Sequence, residues 1–338
     1  MNIFEIDSDK KTPKYLQIVH SVTRSIKNGV LKKGDKILSI NELSNEFILS
    51  RDTVQKAYKI LEETQIIVPV KGKGFYINRT DITKYYRILL LFNKMSNYKK
   101  QIYNSFVKEM GDKATIELKI YHCDTDIFLS ILRASMHEYD YYIIMPHFYD
   151  NNEEAYDAIK EIPSEQLLVL DKEIPNNETG YAAVYQDFKN DIVAALESAL
   201  PHLKKYRKLV LAHPVSSPYP AEILTGFRNF CMQYEFPFAI VHEITNHTIL
   251  NTGEVYIVIE ETDLVNLIKG CRSQGFQIGE TIGIISYNDT PLKEILLDGI
   301  TVISTDHTHM GEMAAKLILE NRKEKIKNPF ALIIRKSL

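Results

Sequence analysis

The sequence predicts an α/β chain in two parts: a small helical head closed by a β-hairpin, then a larger body of parallel sheets covered by helices. Three observations carry this. Apolar residues near the start recur at helical spacing and are followed by two short β-type runs. From residue 87 onward, short continuous apolar runs alternate with helical patterns, as expected of strands buried on both faces. The length of 338 residues, 45% apolar and 25% charged, is enough for about two domains with real cores.

In the head, Tyr15, Ile18, Val22 and Ile26 mark the inner face of a first helix. Pro13 is a start signal and Gly29 ends the segment. The stretch LKKGDK turns at Gly34–Asp35. Ser39 caps a second, short helix, with Glu42 three residues later completing a capping box and Ile40, Leu43 and Phe47 facing inward. After the tight turn ILS, Ser50 caps a third helix whose inner face is Val54, Ala57, Tyr58 and Leu61. Two short helices about four residues apart describe a helix-turn-helix. The runs IIVPV and GFYI then flank Lys71–Gly72–Lys73–Gly74 as a hairpin with a basic tip, a wing.

The outer face of the third helix carries Arg51, Thr53, Gln55, Lys56 and Lys59. Taken alone, such a face is an ordinary solvated one. Charge tips the reading: residues 1–79 carry a net +5 and the remainder −8, although the whole chain is only −3. A basic module on an acidic body suits contact with nucleic acid through one end. The second helix of a helix-turn-helix enters the major groove by its N-terminal residues. Arg51 is placed for a guanine edge or a phosphate, Ser50 and Thr53 for phosphate oxygens, and Gln55 for adenine. Gly72 lets the wing backbone approach DNA, while Lys71 and Lys73 attract phosphates.

The segment from Pro13 to Ile77 resembles the winged helix-turn-helix of GntR-family transcription regulators, on Tyr15–Leu16–Gln17–Ile18, Gly29 with Gly34–Asp35, Ser50–Arg51–Asp52–Thr53–Val54 and Gly72–Lys73–Gly74. The resemblance implies DNA contacts from Ser50, Arg51, Thr53, Gln55 and the wing tip. Two departures stand out. The usual proline before the cap serine is absent from Leu38–Ser39, and a common arginine is Asn41, which keeps a hydrogen bond but brings no charge.

The polar stretch 79–86 is read as a linker, dividing a head at 1–78 from a body at 87–338. Ten apolar runs serve as the body's strands: 87–92, 116–121, 141–145, 167–170, 181–185, 208–212, 255–259, 282–287, 301–304 and 331–335. They are too many for one small unit and suit two linked lobes. In such sheets ligands sit beyond the carboxyl ends of strands. There the sequence places Asn93 and Tyr98, His147, Asp171, Gln186, Glu260, Asn288 and His307. Carboxylates and amides suit paired hydroxyls, and Tyr or Phe must supply any stacking because tryptophan is absent. Asp187 and Asp289 each precede a helix and are better read as caps.

From Arg87 onward the chain resembles, more thinly, the periplasmic-binding-protein-like effector domain of LacI-type regulators. The markers are VYIVIEETDLVNLIKGCRSQGFQIGETIGIISYND, ITVISTDHTHMGEMAAKLIL and the terminal LIIRKS. The resemblance implies sugar contacts from Asp171, Asn288 and His307. A usual Asn-Asp pair is Glu260–Glu261 here, and a frequent arginine is Ile223, which argues against a strongly anionic effector. Together the two resemblances imply a homodimer on palindromic double-stranded operator DNA, controlled by a small molecule. A monosaccharide is the first choice and a purine or other metabolite the second.

Other classes fare worse. No dinucleotide, P-loop, zincin or nucleophile-elbow motif occurs, so no catalytic residue and no cofactor are expected. His307 and His309 lack a third spaced ligand and are read as solvated or capping, not as a metal site. An aminotransferase-like body would need a cofactor lysine in a recognisable setting, and the repeated β-type runs oppose a helical metal-binding body. The three distant cysteines and the charged first residues fit a reducing cytoplasm and oppose export, and no apolar run spans a membrane.

Overall fold

The structure, a computed structural model, describes residues 3–7, 13–80, 86–149, 153–175, 180–214 and 219–338. Of the expected linker, positions 81–85 lie outside the described residues. One compact unit takes Met1–Arg87 with Asp112–Thr115 and His137–Asp140, and the other takes the rest.

The head contains α1 (Lys14–Lys27), β1 (Lys36–Ile37), α2 (Ile40–Glu46), α3 (Arg51–Glu63), β2 (Ile67–Val70) and β3 (Gly74–Ile77). Ser39 and Glu42 close the capping box, and the Ser50 hydroxyl accepts from the Thr53 amide. Ile18, Val22, Leu43, Val54, Ala57 and Leu61 are fully buried in one core. Strands β2 and β3 form the wing, and β3 also pairs with β1, giving the order β1-β3-β2. The turn between α2 and α3 passes through Ile48 at φ 52°. A left-handed conformation costs a β-branched residue roughly 1–2 kcal/mol.

The body has two lobes. The first begins with β4 (Tyr86–Phe92), α4 (Asn97–Met110), β5 (Ala114–Ile120), α5 (Thr125–Ser135), β6 (Tyr141–Ile144), α6 (Glu153–Lys160), β7 (Leu167–Asp171) and β8 (Ala182–Tyr185). The chain then crosses to the second lobe: α7 (Phe188–Leu203), β9 (Lys208–Ala212), α8 (Glu222–Gln233), β10 (Phe238–Val241), β11 (Glu254–Val258), α9 (Glu261–Gln274), β12 (Gly283–Tyr287), α10 (Pro291–Ile295) and β13 (Thr301–Thr305). It returns through α11 (His307–Leu319) and β14 (Lys325–Lys327), and crosses once more to β15 (Phe330–Ile333). The sheet orders are β14-β8-β7-β6-β4-β5 and β10-β9-β11-β12-β13-β15.

Central strands are apolar throughout because helices cover both faces: Leu89, Leu90, Leu91, Ile143 and Val169 are all fully buried. The second sheet is not wholly parallel, since β15 runs antiparallel to β13. The sequence reading also lacks β1, β10 and β14. The last two lie at sheet edges: Phe238–Val241 is a short apolar run that the reading passes over and is only half-buried, and Lys325–Lys327 is largely charged and shows no such run.

Three crossovers therefore join the lobes, and one side chain ties them. Asn328, buried in the third, donates from its backbone to Tyr185 O in the first (2.7 Å). Its Nδ2 donates to Thr305 Oγ1 (2.7 Å) and Asp306 O (2.8 Å) in the second. Its Oδ1 lies 3.0 Å from His309 Nδ1. Alanine at 328 keeps the backbone bond to Tyr185 but removes the side-chain bonds to Thr305, Asp306 and His309, so urea unfolding is expected to show a loss of about 1–3 kcal/mol.

Candidate effector cleft and nucleic-acid interface

On the head, Asn41, Ser50, Arg51 and Gln55 are exposed and Thr53 is half-buried. The Ser50 hydroxyl is the helix cap and also lies 2.7 Å from Thr53 Oγ1, so these two hydroxyls engage each other first. Arg51 stands in the first turn of α3, where the helix dipole leaves unsatisfied N–H groups and favours anions. At the wing tip Lys71, Gly72 and Lys73 are exposed. Gly72 takes φ 75° with open space where a Cβ would sit, so glycine is needed for the turn itself.

In the body, the carboxyl ends of the strands meet in a cleft between the lobes. Asn93, Lys94, Tyr98 and Lys99 line it from the β4–α4 segment, His147 follows β6, Asp171 ends β7 and Gln186 follows β8. Tyr219, Ile223, Tyr287 and Asn288 line it from the second lobe. Asp171 and Asn288 both adopt left-handed backbone (φ 74° and 61°), which Asp and Asn tolerate better than most residues. The cleft encloses about 40 Å³, room for a few waters but not for a sugar ring.

The polar groups in the cleft are coupled. His147 Nε2–H donates to Asp171 Oδ2 at 2.7 Å, and Gln186 donates to Asp171 Oδ1. Burial alone would raise the Asp171 carboxyl, but His147, Lys99 and Gln186 together hold it well below the usual carboxylate range. Lys99 donates to Asn93 Oδ1 from a fully buried position. Burial brings its ammonium down to about 8, with the nearby Asp171 carboxylate opposing the fall. Lys94 Nζ is 3.3 Å from the Tyr219 hydroxyl, bridging the lobes. The same hydroxyl reaches Tyr98 and Glu260, and burial pushes both phenols above their ordinary range.

Five of the seven residues expected around an effector thus face one cleft: Asn93, Tyr98, His147, Asp171 and Asn288. Glu260 does not line it and instead accepts from Tyr219. His307 packs its ring 4.9 Å from that of Tyr98 and borders a second, wider hollow of about 380 Å³ with Asp289, Asp306 and Pro329. His307 and His309 are not solvated or capping. His307 is buried, with its imidazole lowered to about 4 by that burial, and His309 bonds Asn328, while Asp306 caps the helix. Asp187 does cap α7, but Asp289 forms a two-bond ion pair with Arg335 at 2.7 and 2.8 Å, leaving Thr290 at the helix start. Lys99, Tyr219 and Tyr287 escaped the sequence reading. Lys99 follows Tyr98 directly, yet nothing local marks it as buried.

Lys99 gives a stability prediction with a defined sign. The unfolded ammonium holds its proton to about 10.4 and the folded one to about 8, so the folded state is penalised for the charge below pH 8. Lys99→Met relieves that penalty, on the order of 3 kcal/mol at pH 7, but leaves the buried Asn93 Oδ1 without its donor at about 1–3 kcal/mol, so a small net gain is expected. The gain should shrink as pH rises from 8 toward 10.5, as thermal melts across that range would show.

Comparison with known proteins fits this geometry. The family described as "Bacterial regulatory proteins, gntR family" matches residues 14–77, and "Periplasmic binding protein-like domain" matches 202–338. The HTH-type transcriptional repressor YtrA of Bacillus subtilis is 33% identical over 120 residues, 36% of this chain and 87% of its own length. The chain belongs to the gntR family. This gntR regulator is also similar along nearly its whole length to the arabinose metabolism transcriptional repressor of Geobacillus stearothermophilus, 20% identical over 92% of each chain. Among solved structures, the Lac repressor bound to ONPG in the repressed state superposes with a TM-score of 0.59 at 15% identity, over 86% of this chain and 92% of that one. The trehalose repressor of Escherichia coli gives 0.60 at 14% identity, over 73% and 99%. The gntR regulator therefore joins a DNA-binding head to a periplasmic-binding-protein-like body that shares its fold with these repressor structures. Among the described residues, no helix is long and apolar enough to cross a membrane, and no cluster of His, Cys, Asp or Glu is placed to hold a metal ion.

Proposed function

We propose that this regulator is a repressor that holds operator DNA as a homodimer and changes its grip when a neutral monosaccharide enters the interlobe cleft. The observation that carries the reading is the cleft itself, where Asn93, Lys99, Gln186 and Asn288 offer amide and ammonium groups beside the rings of Tyr98 and Tyr219. Amides and ammonium groups suit sugar hydroxyls, and aromatic rings suit an apolar sugar face. Ile223 places an apolar group on the same wall, which favours an uncharged ligand. The whole-length relative named for arabinose metabolism supports the ligand class, and the names of that relative and of YtrA support repression.

Because the cleft is too small for a ring, the lobes open about the three crossovers to admit one. Asp171, with both oxygens already engaged, orients His147 and Gln186 toward the ligand. The DNA side rests on Asn41, Ser50, Arg51, Thr53, Gln55, Lys71, Gly72 and Lys73, with half-sites of a palindrome roughly 34–36 Å apart. Coupling requires that the sugar bind the open and closed forms with different affinity.

The test is a thermal-shift panel of aldopentoses and aldohexoses, beginning with L-arabinose, with adenine and guanine alongside. A sugar that raises Tm and also alters duplex affinity supports the proposal. A shift with a purine and with no sugar replaces the ligand class.

A further inference from the structure

We infer that Ile48 is a base-reading residue, its side chain meeting a thymine methyl at the edge of the major groove. The inference rests on the head's placement on DNA. Among the described residues with φ above zero other than glycine, Ile48 is the β-branched one. It is also the most exposed large apolar side chain described, at 93%, ahead of Ile249 at 81%. Strain and exposure act against the same residue, and a glycine or asparagine would relieve both. A single exposed apolar residue is unremarkable, but one held outward in a disfavoured conformation calls for a use.

Its neighbours show that the direction is built in. Phe47 and Leu49 on either side pack against the head core. The Leu49 amide donates to Ser44 O at 3.0 Å, and the Ser44 hydroxyl donates back to Leu49 O. The turn is therefore locked with Ile48 alone pointing out. It stands two residues ahead of the cap Ser50, at the end of α3 that carries Arg51. That end of a recognition helix enters the major groove, where thymine presents its C5 methyl to apolar side chains.

The experiment uses the full chain and duplexes that the wild type recovers from a randomised 30-bp pool. Thymines in the recovered duplex are replaced one at a time by uracil, which deletes the methyl alone. Wild type should lose about fourfold in affinity at one position per half-site, the worth of one buried methyl. Ile48→Gly should melt a few degrees higher than wild type, bind the parent duplex more weakly and be indifferent to that uracil. Ile48→Asn, which also tolerates the turn, should behave like Ile48→Gly and guards against a folding defect peculiar to glycine. Unchanged affinity in both variants overturns the inference. So does a uracil scan in which no position distinguishes wild type from the variants. If the wild type recovers no duplex at all, the DNA-binding reading falls along with this one.

Discussion

Gly311→Val is expected to prevent the first lobe from folding, and Gly311→Ala to weaken it by about 3 kcal/mol. Helix α11 crosses α4 at Gly311, and a Cβ there would lie 2.1 Å from Ser105 Oγ and 2.3 Å from the Ile102 carbonyl oxygen. The second contact is to backbone inside a helix, so no rotamer change relieves it. Alanine's helix propensity would recover at most about 1 kcal/mol, too little to offset the overlap. Gly180→Ala is the control. Nothing lies within 4 Å of a Cβ there, so its effect should stay within about 0.5 kcal/mol. Urea unfolding followed by circular dichroism measures all three, and a Gly311→Ala midpoint equal to the control would refute the packing argument.

Arg51→Ala is expected to remove most duplex affinity while leaving any sugar-induced thermal shift intact. A bidentate arginine contact is worth about 1–3 kcal/mol, and the proposed dimer presents two, so losses of about thirtyfold or more follow. If Arg51 instead meets phosphate, the loss should be similar across sequences and the salt dependence should flatten by about one counterion per head. Fluorescence anisotropy over a salt series separates these cases. Equal loss of DNA and sugar binding would contradict the division of labour between head and body.

How legible the molecule was in its sequence depended on range. The Ser39–Glu42 box and the inner face of α3 were readable because caps and helical stripes are written within four residues. The central strands were readable because burial on both faces leaves an unbroken apolar run. Edge strand β14, Lys-Ile-Lys, carries no such run, while β10 does carry one, only four residues long and half-buried, and it was passed over. The cleft was half legible: strand ends pointed to Asn93, His147, Asp171 and Asn288, since topology places them there. What these residues do with one another was hidden. Asp171 turns its oxygens to His147 and Gln186, and Asp289 turns from capping to Arg335, 46 residues away in sequence. The burial of Lys99 likewise depends on chain that returns from far downstream.

The triple crossing also bears on how the chain is made. The outer strand β14 pairs with β8 but lies at Lys325–Lys327, after nearly all of the second lobe. Helix α11, which packs on α4, arrives scarcely earlier. While the ribosome is still extending the polypeptide, the first lobe must wait with the β8 edge bare and the α4 groove empty. Its completion coincides with that of the second lobe, so the body matures in one late step, and a truncation before about residue 330 would leave both halves unfinished.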